Sequence, residues 1–490
     1  MNIAIMITVV LLPIIGGVLI PVLPFKNRKQ MMLYIETLVV LNSALVIAML
    51  LNKPEEAFVL FRFTGNLSVS FHLDGLGSLF AGLAAVLWPF AILYSFEYMK
   101  KEEREKTFFM FYVITFGVTL GVAMAENVLT LYFFFEMMSL ITLPLIMHTQ
   151  TREAVLASRT YLYFMIGGAA FAFIGMIFIL SYGSTGAFIP GGVLDFGKIG
   201  NYRNLALFMY VMAFFGFGMK TAVFPFSAWL PKAGVAPTPV TALLHAVAVV
   251  NTGAFAVMRI TYYSFGAGFV RGTWAQNVVM AFVIFTIIYG SARALKETHL
   301  KRRLAWSTVS NLSYILFGVT LMSASGFAGA MLHMLFHSFM KICSFFCAGA
   351  VMHQSGKSYI FELDGMGKKM PKVFIIFTVA GLALMGVPGF AGFISKWNLM
   401  SAAVDNENPL AVWGVVALLV SALFTAMYML TISVRAFFPG KNFDDSKIKN
   451  LTDPNWMMIL PLIFFVTVVI IFGIYSGPFV EAIRQVASVM

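Results

Sequence analysis

Seven ionisable side chains stand in stretches that are otherwise apolar: Glu136, Lys220, His245, His333, His337, Lys341 and Lys396. A charge at the centre of a membrane-spanning helix costs about 2.5–3.5 kcal/mol on insertion scales, so each one calls for a reason. Glu136, within Leu131-Tyr-Phe-Phe-Phe-Glu136-Met-Met-Ser139, is the one carboxylate that reads as mid-membrane. Burial disfavours the charged form of a lysine and a nearby carboxylate favours it. A Glu136–Lys220 ion pair that opens and closes would therefore release and recapture a proton. His333, His337 and Lys341 are spaced i, i+4, i+8 and line one helix face, a stack suited to a proton wire about two turns long. Histidines at i and i+4 also suit zinc. No carboxylate accompanies them, however, and the next residue on the face is a cation, so no metal is expected. A scaffold in which buried charges only tie helices together accounts for one lysine better than for three that outnumber the single acid. Glu36, Arg159 and Arg259 lie within a turn or two of span ends, where long side chains are expected to reach the interface.

The elements that must position these groups are membrane helices. Of 490 residues 60% are hydrophobic and 11% charged, with mean hydropathy +0.88, against about 45–50% apolar and about 25% charged in soluble domains. Apolar runs long enough to span a bilayer recur from end to end. The pattern predicts an all-α polytopic membrane protein with about fourteen transmembrane helices and a single integral membrane domain over 1–490. The stretch Asn2–Val22 lacks a basic leader and reads as a first retained span, not a signal peptide. The polar insert 52–76 alternates at Leu67, Val69, Phe71 and Leu73, which predicts a short strand or hairpin outside the membrane.

Most of the 33 Lys and Arg fall in every second loop. Lys26, Arg28 and Lys29 form one group, Lys100, Lys101, Arg104 and Lys106 the next, and Arg293 through Arg303, Lys357 through Lys372 and Arg435 through Lys449 follow. This asymmetry sets those loops in the cytoplasm and both termini on the outer side. The net charge of +12 is then a topological address, and no nucleic-acid partner is expected. The two cysteines, Cys343 and Cys347, offer neither a cluster ligand set nor a disulfide framework. Gly356-Lys357-Ser358 looks like the end of a phosphate loop, but Val351 stands where its first glycine belongs. No cofactor bound by this chain is expected.

Two spans are interrupted beside buried lysines. One reads Phe215-Gly-Phe-Gly218-Met-Lys220-Thr-Ala-Val-Phe-Pro225 and the other Met385-Gly-Val-Pro388-Gly-Phe-Ala-Gly-Phe-Ile-Ser-Lys396. Pro225 and Pro388 each remove a backbone hydrogen bond, and the freed carbonyls need protein or water. Paired interruptions in two halves of a chain point to a transport site.

With these pieces in place the chain resembles the antiporter-like proton-pumping subunits of respiratory complex I, membrane-bound hydrogenases and Mrp-type cation/proton antiporters. The resemblance rests on Phe135-Glu136-Met137-Met138-Ser139, on Lys220 through Pro225 and on Ala236 through Val240. Leu244-His245-Ala246, Leu300 through Ser307, His333-x-x-x-His337-x-x-x-Lys341 and Pro388-Gly through Lys396 complete it. It implies two inverted five-helix repeats, over 107–263 and 275–435, each with one broken helix. Glu136 and Lys220 would form the input pair and His245 continue the path. His333, His337 and Lys341 would bridge the halves, and Lys396 would serve as the terminal exchange site. The resemblance also implies other membrane subunits as partners, homologous antiporter-like ones included, in the cytoplasmic membrane of a prokaryote. The primary function implied is proton translocation in a redox-driven complex, and the alternative is a non-redox Mrp-type Na+/H+ antiporter. Against the family pattern, Asn251 stands where many members carry a lysine, Asn311 where some carry a histidine, and His299 at a commonly acidic position.

Overall fold

The computed structural model describes residues 2–54, 56–64, 67–440, 443, 448 and 450–490. Lys441, Lys447 and Lys449 lie outside the described residues. The helices, in chain order, are α1 Asn2–Leu19, α2 Arg28–Leu51, α3 Gly75–Tyr98, α4 Glu105–Ala123, α5 Val128–Ile146, α6 Arg152–Tyr182 and the short α7 Phe196–Ile199. Then come α8 Arg203–Gly218, α9 Trp229–Ala233, α10 Thr238–Ala246, α11 Val249–Met258 and α12 Ala267–Val270. The second half holds α13 Trp274–Lys296, α14 Leu300–Thr320, α15 Ala324–Ser355, α16 Pro371–Met385, α17 Ala391–Val404, α18 Leu410–Phe437, α19 Trp456–Ile474 and α20 Gly477–Ala487. The expected hairpin is present, as antiparallel β1 Phe58–Thr64 and β2 Leu67–Phe71.

Eleven helical stretches among the described residues are long and apolar enough to cross a membrane, fewer than the fourteen expected. Three expected spans fall outside this set for physical reasons. Helix α1 is short, α16 and α17 are two half-length pieces, and α14 is too polar, carrying Lys301, Arg302, Arg303, Asn311 and a run of Ser and Thr. That polarity is turned inward: Arg302 alone of α14's residues is not buried.

Among the described residues, the loops sort into two sets, each bonded within itself. Leu300 N–H donates to Ser358 O, Ile360 N–H to Thr298 O, and Lys301 Nζ to Ala236 O. Arg302 pairs with Glu153 and Arg28 with Glu105. These contacts gather the basic loops at one end of the bundle. At the other end Glu126 N–H reaches Ser70 O, Val193 N–H reaches Ser264 O, and Asn406 Nδ2 reaches Leu321 O. The chain is a multi-pass membrane protein whose loops alternate between two ends.

His299, in the basic set, packs against the Tyr359 ring with centroids 5.4 Å apart. Burial, with the neighbouring Lys301 and Arg302 charges, pushes its pKa down from 6.5 to about 4. The unfolded chain takes up a proton at His299 near pH 6.5 while the folded chain resists it, so stability rises with pH across that interval. The contribution is whole above pH 6.5 and is lost as pH falls toward 4. In thermal unfolding the His299→Gln variant is expected to lose less stability than the natural chain between pH 7 and pH 5. Equal slopes would contradict this.

Candidate functional site

The first break follows α8, where Gly216 packs so close to α6 that a Cβ would lie 2.3 Å from Ala172 N. Small residues at such crossings let membrane helices approach closely. Beyond Gly218 the helix tightens to a 3-10 turn over Met219–Thr221 and stops at Ala222, which adopts the left-handed conformation at φ 57. The freed carbonyls are recovered locally. Thr221 Oγ1 donates to Gly218 O and the Trp229 indole donates to Met219 O at 3.0 Å. Lys220 sits in this turn, 1% exposed.

Its ammonium donates to Phe135 O and to Ser139 Oγ on α5, each at 2.5 Å, and lies 3.9 Å from the Phe135 ring centroid. Glu136 is not its direct partner. No Glu136–Lys220 contact occurs within ion-pair distance among the described residues, and Glu136 Oε1 is buried without a hydrogen-bond partner. The expected closed ion pair is corrected on this point. Glu136 is half-buried on the face of α5 that carries exposed Phe133 and Leu140, whereas Phe135 and Ser139 are on the face turned to Lys220.

Lys341 repeats this arrangement in the second half. Fully buried on α15, it donates to Leu304 O at 3.0 Å and to Ser307 Oγ on α14. Each lysine thus rests on one carbonyl and one serine hydroxyl of a facing helix, three or four residues apart. A lysine ammonium has three donors, so one N–H of each is left over among the described contacts.

The second break separates α16 from α17. Gly386 caps α16 at φ 91, and its N–H and that of Val387 close back on Leu382 O. Leu384 O and Met385 O are left for Lys396 Nζ, at 2.6 and 3.1 Å. A cation at the carbonyl end of a half-helix is also favoured by the helix dipole. Both interruptions read from proline and glycine are therefore present, each within reach of its lysine.

Histidines lie between these lysines. His333 and His337 stack on α15 with centroids 5.9 Å apart. His333 Nδ1 pairs with Ser395 Oγ at 2.9 Å, next to Lys396 in sequence. The Tyr314 ring lies 5.2 Å from His333 and 5.2 Å from Lys396 Nζ, so Ser395 and Tyr314 join the two. His245 is fully buried on α10, 4.8 Å from the Phe345 ring. Both ring nitrogens of His245 and His337 and Nε2 of His333 lack protein partners among the described residues. Such groups are normally satisfied by ordered water. Asn251 donates to Ala246 O and Ser338 Oγ, bridging α11 to α15, and its Oδ1 is unpartnered, as is that of Asn311.

The sequence did not single out Ser139, Ser307, Ser395 or Tyr314. Serine and tyrosine are ordinary helix residues, and only the fold puts them opposite a lysine. It also gave no sign of the break between α10 and α11, where Val247 departs from helical geometry and Ala248 N–H bonds five residues back to Leu243 O. No proline or glycine marks that joint. Arg259, expected at the interface, is instead 2% exposed and paired with Asp74.

The family model for NADH:quinone oxidoreductase/Mrp antiporter transmembrane segments matches residues 125–425. The chain is 28% identical over 446 residues to Na(+)/H(+) antiporter subunit A1 of Staphylococcus haemolyticus and 29% identical to that of Staphylococcus aureus. Each alignment covers 86% of this chain and 54% of the relative, so the chain spans about half the length of those proteins. In structure it is similar to a chain of an archaeal membrane-bound sulfane sulfur reductase, with TM-score 0.84 and 21% identity over 99% of this chain and 97% of that one. It is equally similar to a chain of the Mrp complex from a Dietzia species, with TM-score 0.83, 19% identity and the same coverage. Both neighbours belong to multi-subunit membrane complexes. The chain belongs to the NADH:quinone oxidoreductase/Mrp antiporter transmembrane family, as one of its antiporter-like membrane subunits.

Proposed function

We propose that this subunit moves protons along a lateral line of buried groups, from Glu136 and Lys220 through His245, Lys341, His337 and His333 to Lys396, as part of a redox-driven membrane complex. One observation carries the reading. Among the described residues, three lysines and three histidines are buried with no carboxylate bonded to any of them, and each lysine keeps a donor free. Groups built only to bolt helices together would be fully satisfied; these leave hydrogen-bonding atoms for water to satisfy, and through water a proton can pass. Glu136, half-buried beside the Lys220 cradle, is placed to receive an electrostatic signal from a neighbouring subunit. At an effective dielectric of about 20, a unit charge brought to about 4 Å changes the energy by roughly 4 kcal/mol, enough to drive a lysine proton off or on.

The segments 107–263 and 275–435 act as the two inverted repeats, and the basic loops face the cytoplasm of a prokaryotic inner membrane. Redox chemistry is left to other subunits, and this chain binds no cofactor. A second reading, a subunit of a non-redox Mrp-type antiporter, is favoured by the names of the Staphylococcus relatives. Purification in mild detergent followed by identification of associated subunits separates the two. Iron–sulfur or hydrogenase-type partners support the first, and their absence from an intact, proton-transporting complex supports the second. In either case reconstituted complex is expected to acidify or alkalinise vesicles in an uncoupler-sensitive way, and a transport-silent intact complex would end both readings.

A further inference from the structure

We propose that a second polar route enters the bundle from the end opposite the basic loops, passes the Asp74–Arg259 ion pair and follows α11 by way of Thr252 to His245, admitting water and small monovalent cations when that pair opens. At that end lies a pocket of about 600 Å³ lined by His72, Asp74, Glu126, Phe188, Arg259 and Tyr263, among others. Arg259 closes it from within. Its guanidinium donates to both Asp74 oxygens, at 2.5 and 2.7 Å, and lies 4.6–5.2 Å from the ring centroids of Phe188, Phe255 and Tyr263. Its Nε is buried and has no partner among the described residues.

Thr252 stands seven residues earlier on the same helix, hence on the same face and about 10 Å deeper. It is fully buried and its hydroxyl also lacks a partner. Other buried threonines of this chain, Thr115, Thr119, Thr142 and Thr425, donate to the carbonyl four residues back. Thr252, four residues after the N-cap Ala248 of α11, makes no such bond. Across the break between α10 and α11 stands His245, with both ring nitrogens unpartnered. Three buried polar groups in succession, a guanidine, a hydroxyl and an imidazole, therefore each present an unused hydrogen-bonding atom. A column of water satisfies all of them. The next residue, Gly253, packs against the turn that carries Lys220: a Cβ there would lie 2.8 Å from Lys220 Cβ.

That the route serves proton exchange rests on the function proposed above; that it exists does not. The test reads access alone. In the full complex, with Cys343 and Cys347 replaced by alanine, Thr252→Cys is exposed to Ag+ from each side of sealed membrane vesicles. Unreacted thiol is then alkylated in denaturant and measured. Lys53→Cys, at the exposed rim of the pocket, reports which side the pocket faces. From that side the Thr252→Cys thiol is expected to react slowly, and at least about tenfold faster when Asp74→Asn removes the charge-assisted bonds. Should Asp74→Asn fail to assemble, Arg259→Lys, which keeps the charge but loses the paired bonds, is read in its place. Absence of reaction, equal rates with and without the ion pair, or reaction only from the side opposite Lys53→Cys would each overturn the proposal. Transport lost in a Lys220 variant with Ag+ access intact would leave the two ideas separately judged.

Discussion

Lys220→Ala is expected to leave the complex assembled and to reduce its proton transport to background. The structural loss is small because the lysine's acceptors have other means of support. Phe135 O lies within the continuous helix α5, and Ser139 Oγ already sits 3.5 Å from that same oxygen. The chemical loss is complete because no other lysine, histidine or carboxylate lies in α8 or in the turn that follows it. Lys220→Arg sharpens the test. A guanidinium can hold a carbonyl and a hydroxyl as well as an ammonium does, but it does not give up its proton in a protein. If Lys220 only fastens α8 to α5, arginine restores function; if it carries protons, arginine is as silent as alanine. Dye-monitored transport in proteoliposomes, with native gels for assembly, measures both. Wild-type transport in either variant would remove Lys220 from the pathway.

Gly392→Ala is expected to damage the second broken helix severely. A Cβ at Gly392 would lie 1.9 Å from Ala383 O and 2.9 Å from Ala383 C, both main-chain atoms that no side-chain rotation can move aside. Overpacking of this kind costs about 1–3 kcal/mol even where side chains can yield, so a loss at or above that range is anticipated. The carbonyls of Leu384 and Met385, which hold Lys396, follow Ala383 directly. Relief of the clash must therefore shift the Lys396 cradle. Lowered thermal stability in detergent and reduced transport should appear together. An unchanged melting temperature would mean that α17 does not seat against α16 as described.

How much of this could be read without coordinates depended on the kind of signal. The hairpin of β1 and β2 was legible because alternation at Leu67, Val69 and Phe71 is a local pattern. Both interruptions were legible because proline and glycine announce themselves. The seven ionisable residues stood out because charge is rare in apolar sequence. What remained hidden was relational. Lys220 turns to the face of α5 that carries Phe135 and Ser139 instead of bonding the adjacent Glu136, a choice set by helix rotation. Ser395 and Tyr314 join His333 to Lys396 only because α14, α15 and α17 converge. Asp74 and Arg259 are 185 positions apart, so nothing local marked Arg259 as buried. The inserted turn after His245 arises at Val247 and Ala248, residues without breaker chemistry.

Helix α15 runs unbroken for 32 residues, about 48 Å at the usual rise, well beyond the roughly 30 Å of a bilayer's hydrocarbon. It carries His333, His337 and Lys341 on a single rigid rod whose neighbours include α10 of the first half and α14, α16 and α17 of the second. A rocking motion of that rod displaces all three groups in unison. Any displacement of α15 would therefore be passed at once to helices on both sides of it, from α10 to α17.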